Sequence, residues 1–304
     1  MARTEIIMKK DKKAVFRGAA TALITPFECG RVDYISLERL IERQIESGID
    51  ALLINGTTGE SSTLTNEERK EIIAFAAKRI GGRVPTLAGT GCNITESALE
   101  LSKFACDAGC DAVLVVTPYY NKASEQGLIE HYTKIADSID KPLILYNVPS
   151  RTGVNIPINV YSELAKHENI AGVKEASSSI SDFGLLSSRC GDSLDLYSGN
   201  DDMILPTLSL GGKGVISVLS NICPKEVHDM CSLYFEGKTK ESSDLQLKFF
   251  PLIKALFSEV NPIPIKTIMA HLGQCSEEFR LPLCKISDEK RKKLIELATS
   301  YGLK

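Results

Sequence analysis

One lysine of this chain ends a short apolar run. Lys174 follows residues 170–173, a pattern typical of a buried strand. Burying a lysine is costly unless the side chain has a function, because the ammonium group must leave water. The same burial favours the neutral amine, which can attack a ketone and form a Schiff base. Taken alone, the residue is equally compatible with an edge-strand lysine whose stem extends to water.

Hydroxyl, amide, tyrosine and arginine side chains follow the other apolar runs, and together they suit a 2-oxo acid substrate. Lys174 would attack the ketone, and the glycine-flanked Thr57-Thr58 turn can bring backbone N–H groups to the carboxylate. A tyrosine bonded to a threonine hydroxyl can move the proton, and Arg151 can hold a carboxylate of a second substrate. These groups stand at residues 56–60, 117–121, 146–153, 174–175, 198–201 and 217.

Eight short apolar runs alternate with helical patterns along the chain. This alternation predicts a (β/α)8 barrel, whose functional groups lie where the strands end. A doubly wound sheet is the alternative, but no Gly-x-Gly-x-x-Gly follows the first strand. The predicted strands are residues 19–24, 51–54, 86–88, 112–116, 143–146, 170–174, 194–198 and 215–218.

Capping residues predict where several helices begin and end. After residue 224 the pattern is helical only, and Gly237-Lys238 mark a boundary. We therefore expect an N-terminal extension (1–17), a catalytic barrel (18–237) and a small C-terminal helical domain (238–304), with the lysine-rich run at residues 9–13 as a solvated tail. The predicted caps are Asp33, Thr65 with Glu68, Asn93 with Glu96, and Ser287 with Asp288 and Glu289, while Gly81-Gly82 would end the second helix.

Composition excludes several classes of function. The net charge is −3, and positive and negative residues are interspersed along the sequence. The sequence therefore lacks the stripe of basic residues that would indicate a nucleic-acid-binding surface. No apolar stretch approaches the ~20 residues of a membrane span, and no signal peptide is recognisable. Nine cysteines without a Cys-x-x-Cys pair and four scattered histidines indicate reduced thiols and no zinc site. We expect a cytoplasmic protein that uses no metal or other cofactor.

Five motifs resemble the dihydrodipicolinate synthase family of pyruvate-dependent class I aldolases and lyases, and the resemblance runs from Gly18 to the end of the chain. The motifs are Gly-Thr-Thr-Gly-Glu at 56–60, Tyr-Tyr-Asn at 119–121, Tyr-Asn-Val-Pro-Ser-Arg-Thr-Gly at 146–153, Val-Lys-Glu-Ala at 173–176 and Gly-Val-Ile-Ser at 214–217. The implied reaction condenses pyruvate with L-aspartate 4-semialdehyde in lysine and diaminopimelate biosynthesis. The implied assembly is a homotetramer, a dimer of dimers.

The resemblance also implies roles for individual residues. Lys174 would be the Schiff-base residue. A proton relay would comprise Tyr146, Thr58 and Tyr120, with Tyr120 supplied by a neighbouring subunit. The remaining assignments are substrate contacts: Thr57 and Thr58 to the pyruvate carboxylate, Arg151 to aspartate semialdehyde, and the backbones of Gly199 and Ile216 along the pocket.

Two alternatives stay open. N-acetylneuraminate lyase shares the fold and the lysine, but it usually has serine in place of Thr57 and lacks the Ser150-Arg151 pair; other 2-oxo acid aldolases are also compatible. The alternative of a different class is a non-catalytic barrel that binds a keto acid or a partner protein. Intact Lys174, Tyr146 and Thr58 argue against it.

Regulation is where the chain departs from part of the family. Lysine-sensitive members carry histidine after the glycine-threonine motif and an acidic residue in the following helix. This chain has Arg69 in the stretch where the histidine is expected and Ser97 at the position of the acidic residue, although Glu96 is adjacent to Ser97. Ser61, Asn93 and Tyr119 would be the remnant of such an allosteric site. Because the positive charge of Arg69 would repel the side-chain ammonium group of a lysine ligand, we expect weak or absent inhibition by lysine.

Overall fold

The computed structural model describes residues 14–303, and a closed barrel of eight parallel strands forms its centre. The order of the strands around the barrel follows their order in the chain, and the last strand pairs with the first. The predicted (β/α)8 barrel is confirmed. Its strands are β1 (Gly18–Ala22), β4 (Ala51–Ile54), β5 (Thr86–Gly89), β6 (Ala112–Val116), β7 (Leu143–Asn147), β8 (Ile170–Glu175), β9 (Asp195–Ser198) and β10 (Gly214–Ser217).

Helices cover the outside of this barrel, and further helices follow the last strand. The helices are α1 (Tyr34–Glu46), α2 (Asn66–Ile80), α3 (Thr95–Asp107), α4 (Glu125–Ala136), α5 (Pro149–Thr152), α6 (Ile158–Leu164), α7 (Ile180–Cys190), α8 (Ile204–Ser209), α9 (Pro224–Phe235), α10 (Thr239–Ala255), α11 (Ile263–His271) and α12 (Asp288–Ser300). Gly237 lies between α9 and α10, and the domain division at 237/238 stays a prediction. The predicted tail at residues 9–13 lies outside the described residues.

The strands are short, apolar and almost fully buried, as parallel strands covered on both faces must be. Small and large side chains share the barrel interior, where alanines face Tyr146 and Tyr197. Phe16, two residues before β1, stacks on Tyr197 with 4.2 Å between ring centroids and belongs to the same interior cluster.

The predicted helix boundaries were partly right. Asp33 accepts a hydrogen bond from the Ser36 N–H, and Thr65 forms its capping box with Glu68. Gly81 ends α2 in the left-handed conformation. The prediction for Asn93 was wrong: α3 begins after Ile94, because the Asn93 side chain bonds the backbone of Tyr119 instead. The last helix begins after Ser287 as predicted, with Asp288 and Glu289 in its first turn, but the Ser287 hydroxyl forms no capping bond.

The first strand and the segment after it also differ from prediction. The strand ends at Ala22 rather than residue 24, because the Ile24 N–H donates to the Asn221 side chain instead of a neighbouring strand. A hairpin of β2 (Phe27–Glu28) and β3 (Arg31–Val32) follows. Its turn uses Cys29 and Gly30, both at positive φ, where Asn-Gly would be the usual signal. Two-residue strands are too short to show alternation in a sequence.

All nine cysteines are unpaired in the structure, and their reduced state stays a prediction. Within residues 14–303, no helix is long and apolar enough to cross a bilayer. The same residues contain no cluster of three or more histidine, cysteine, aspartate or glutamate side chains arranged to hold a metal ion.

Candidate active site

A cavity of about 250 Å³ opens where the barrel strands end. The structure brings six of the predicted site residues to its wall, although they are distributed over more than 140 residues of sequence. They are Thr57, Thr58, Tyr146, Arg151, Lys174 and Gly199.

Lys174 lies near the end of β8 and is only 5% exposed. Its register partners on β7 and β9 are Tyr146 and Tyr197, and its Nζ lies 4.4 Å from the centroid of the Tyr146 ring. Among residues 14–303, no carboxylate lies within ion-pair distance of this amine. The structure therefore buries this amine in the cavity wall without an ion-pair partner among the described residues.

The adjacent Glu175 is occupied elsewhere. Its carboxylate accepts hydrogen bonds from Asn147, from the Tyr161 hydroxyl and from the Ser177 N–H. Burial and the nearby carboxylate raise the pKa of Tyr161 well above its ordinary value. The phenol therefore stays protonated and donates a hydrogen bond to Glu175. Successive residues of a strand face opposite sides, so Glu175 anchors β8 from outside while Lys174 faces the cavity.

The Thr57-Thr58 turn is held in a fixed conformation. Gly59 N–H donates to Gly56 O at 3.1 Å, and Glu60 N–H donates to Thr57 O at 3.0 Å. A Cβ on Gly59 would lie 3.2 Å from both Leu23 O and Thr25 Oγ1, closer than most side-chain contacts allow. A side chain at this position would therefore crowd the segment that follows the first barrel strand.

The C-terminal region supplies contacts to this turn that the sequence reasoning missed. The Asn261 side chain donates through Nδ2 to Thr58 Oγ1 at 3.0 Å. The backbone carbonyl of Asn261 accepts a hydrogen bond from Arg151 Nη2 at 3.3 Å. Lys266 Nζ lies 2.6 Å from Glu60 Oε1, and both side chains are fully buried. Residues more than 200 positions apart thus fix the turn that presents Thr57 and Thr58. A lysine inside the apolar helix α11 was the available sequence signal.

Two further groups that were not predicted line the mouth of the cavity. Lys254 of α10 lies 3.5 Å from Asp202, so both charges stand near Arg151 at the same opening. A Cβ on Gly199 would lie 2.6 Å from the Ala176 Cβ, so the cavity wall has no room for a side chain there. The cavity wall combines charged side chains with hydroxyl and apolar groups, an arrangement that suits a small charged substrate.

Two predicted residues do not line this cavity in a single chain. Tyr120 is 91% exposed, and its backbone has a φ of 70°. Ile216 packs inside the barrel in the same cluster as Tyr146. The proposed relay and the backbone contact of Ile216 stay predictions.

A second cavity, of about 260 Å³, lies beside the first. Its wall includes Ser61 and Tyr119, two of the residues predicted as an allosteric remnant, together with Arg69. Asn93 fixes this wall from behind: its side chain donates to Tyr119 O at 2.9 Å and accepts from Tyr119 N–H at 2.7 Å.

Comparisons with known proteins agree with this geometry. The family model described as the dihydrodipicolinate synthetase family matches residues 15–300. A curated 4-hydroxy-tetrahydrodipicolinate synthase from Lachnoclostridium phytofermentans is 52% identical over 292 residues, which cover 95% of this chain and 99% of that protein.

Solved structures give the same result. Dihydrodipicolinate synthase from Aquifex aeolicus is similar with a TM-score of 0.93 and 44% identity, over 95% of this chain and 99% of that one. The enzyme from Cyanidioschyzon merolae, solved with lysine bound, has a TM-score of 0.92 and 37% identity, over 96% of this chain and all of that one. The chain belongs to the dihydrodipicolinate synthetase family.

Proposed function

We propose that this chain is a 4-hydroxy-tetrahydrodipicolinate synthase, a lyase of the Schiff-base type that condenses pyruvate with L-aspartate 4-semialdehyde. The reaction would serve lysine and diaminopimelate biosynthesis. The observation that carries the proposal is the buried Lys174 amine, which faces a cavity shared with Tyr146 and the Thr57-Thr58 turn. Curated relatives that are 48% and 52% identical to this chain carry the name of the same enzyme, which supports this activity.

The first half of the reaction activates pyruvate. Lys174 Nζ attacks the ketone carbon, and the carbinolamine loses water to give an imine. The Thr57-Thr58 turn binds the pyruvate carboxylate through its N–H and hydroxyl groups. Tyr146, with Thr58 and Tyr120 of a neighbouring subunit, carries the protons. Loss of a proton from the methyl group then gives the enamine nucleophile.

The second half joins the two substrates. The enamine carbon attacks the aldehyde carbon of the semialdehyde, forming the new C–C bond and a hydroxyl group. The amino group of the semialdehyde then attacks the imine carbon and displaces Lys174, which closes the ring and regenerates the free amine. Arg151, oriented by the Asn261 carbonyl, holds the carboxylate of this second substrate.

The assembly we propose is a homotetramer built as a dimer of dimers. The support within one chain is Tyr120, a large aromatic side chain that lies almost fully in solvent beside the partly exposed Tyr119. Exposed aromatic groups of this kind mark interaction surfaces. We also propose a cytoplasmic location.

Steady-state assays of the purified protein test the activity. We expect turnover when pyruvate and L-aspartate semialdehyde are supplied together, and none with Lys174→Met. Lys103→Met removes an exposed lysine on α3 and is the matched control, which should keep wild-type rates. Faster cleavage of N-acetylneuraminate would reassign the substrate, and a failure to turn over any 2-oxo acid would favour a non-catalytic barrel.

A further inference from the structure

A carboxylate lies on the wall of the active-site cavity. Asp202 shares this wall with Arg151, Lys174 and Lys254, three side chains that can carry a positive charge. In the part of the chain that the structure describes, no other aspartate or glutamate lines the cavity. A ligand group with a positive charge therefore has one favourable place on this wall, beside Asp202.

The backbone around Asp202 is held on both sides. The Asp202 carbonyl accepts a hydrogen bond at 2.9 Å from Nε2 of Gln246, a buried side chain of α10. The preceding residue, Asp201, is also buried, and its Oδ2 accepts hydrogen bonds from the N–H groups of Val218 and Leu219, both at 3.0 Å. The Asp202 side chain is therefore presented to the cavity by a fixed segment.

The side chain of Asp202 is held much less firmly than its backbone. Its Oδ2 lies 3.5 Å from Lys254 Nζ, and the Asp202 and Lys254 side chains are 28% and 62% exposed. Ion pairs of this kind contribute little to stability, because solvent and salt screen them and the lysine loses conformational freedom. A cationic group that enters the cavity can therefore replace Lys254 at Asp202 at a small cost in free energy.

We propose that Asp202 binds the ammonium group of the second substrate and is a specificity-determining residue of the reaction. This inference rests on the proposed function, in which that substrate is L-aspartate 4-semialdehyde. The α-carbon of the semialdehyde carries an ammonium group and a carboxylate. Arg151 suits the carboxylate, and Asp202 supplies the negative charge that the ammonium group requires. An aldehyde acid without the amino group would use Arg151 alone.

Steady-state kinetics with two aldehydes that differ only in the amino group test the assignment. Asp202→Asn should lower kcat/KM for L-aspartate semialdehyde by roughly tenfold or more, as loss of a hydrogen bond to a charged group predicts. The inhibition constant of succinate semialdehyde, which lacks the amino group, should stay unchanged. Asp202→Glu keeps the charge and should recover most of the loss. Asp244→Asn removes the same charge from an exposed ion pair of α10 and should behave as the wild type does.

Borohydride labelling of Lys174 with pyruvate shows whether the cavity of each variant is intact, and Asp202→Asn should be labelled as fully as the wild type. Loss of labelling, or a rise in the inhibition constant of succinate semialdehyde that equals the loss in kcat/KM, would show that Asp202 shapes the cavity instead of binding the ammonium group. Wild-type kcat/KM in Asp202→Asn would also overturn the inference, and in each case the proposed function would stand. A wild-type protein that forms the imine but does not turn over aspartate semialdehyde would overturn the proposed function and this inference with it.

Discussion

Loss of the buried Lys266–Glu60 ion pair should be the costliest single change in the C-terminal region. The two side chains are fully buried, their charged atoms lie 2.6 Å apart, and Lys266 also lies 4.1 Å from the Phe27 ring centroid. The second oxygen of the Glu60 carboxylate has no hydrogen-bond partner. Lys266→Met would therefore leave a buried carboxylate without compensation.

Removing one partner of such a pair costs about 3–5 kcal/mol, a large part of the ~5–15 kcal/mol that stabilises a typical domain. Since Glu60 follows the Thr57-Thr58 turn directly, the variant should also raise the KM for pyruvate. Adding Glu60→Gln removes the orphaned charge and should recover most of the lost stability, because a neutral replacement for a buried pair is often tolerated.

Urea unfolding followed by circular dichroism measures these differences, at one protomer concentration because assembly contributes to apparent stability. Lys254→Met is the matched control: this side chain is 62% exposed and its ion pair is long, so the loss should stay below about 1 kcal/mol. If Lys266→Met were no more destabilising than Lys254→Met, the ion pair would not fix the turn as we argue.

Three further predictions concern substrates, assembly and regulation. Arg151→Ala should raise the KM for aspartate semialdehyde far more than the KM for pyruvate, and an equal rise in both would refute its role at the second substrate. Mixing Tyr120→Phe subunits with Lys174→Ala subunits should restore part of the activity in hybrid assemblies; no recovery despite confirmed subunit exchange would mean that Tyr120 acts in its own chain. Millimolar lysine at saturating substrates should leave initial rates nearly unchanged, because Arg69 repels its ammonium group, whereas strong inhibition at submillimolar lysine would show that Glu96 or another group completes a lysine site.

The barrel and the floor of the site could be predicted because their signals are local in sequence. Each strand is a short apolar run, and Lys174 is conspicuous as a charge at the end of one. Barrel topology then places every strand end at the same opening. Neither step requires knowledge of contacts between distant residues.

The roof of the site could not be predicted in this way, because tertiary contacts build it. Lys254 reaches the cavity from α10, and Asn261 reaches it from the segment between α10 and α11. No spacing in the sequence relates them to Asp202 or Thr58. Lys266 did have a local signal, a charge inside the apolar helix α11, but its partner Glu60 is 206 residues away.

One incorrect boundary has a comparable cause. Asn93 and Glu96 have the spacing of a capping pair, and local preference favours a helix start at Asn93. The structure instead uses both hydrogen-bonding groups of the Asn93 side chain to hold the Tyr119 backbone on the next loop. A tertiary contact thus replaced the local one.

Borohydride reduction in the presence of pyruvate, followed by peptide mass mapping, tests whether Lys174 is the Schiff-base residue. We expect the reduced pyruvyl adduct on Lys174, with activity lost in proportion to labelling. Among residues 14–303, Lys254 is the other lysine on the cavity wall, so Lys254→Ala should be labelled on Lys174 as fully as the wild type. An adduct on Lys254 or on any other lysine, with Lys174 unmodified, would show that Lys174 is not the Schiff-base residue.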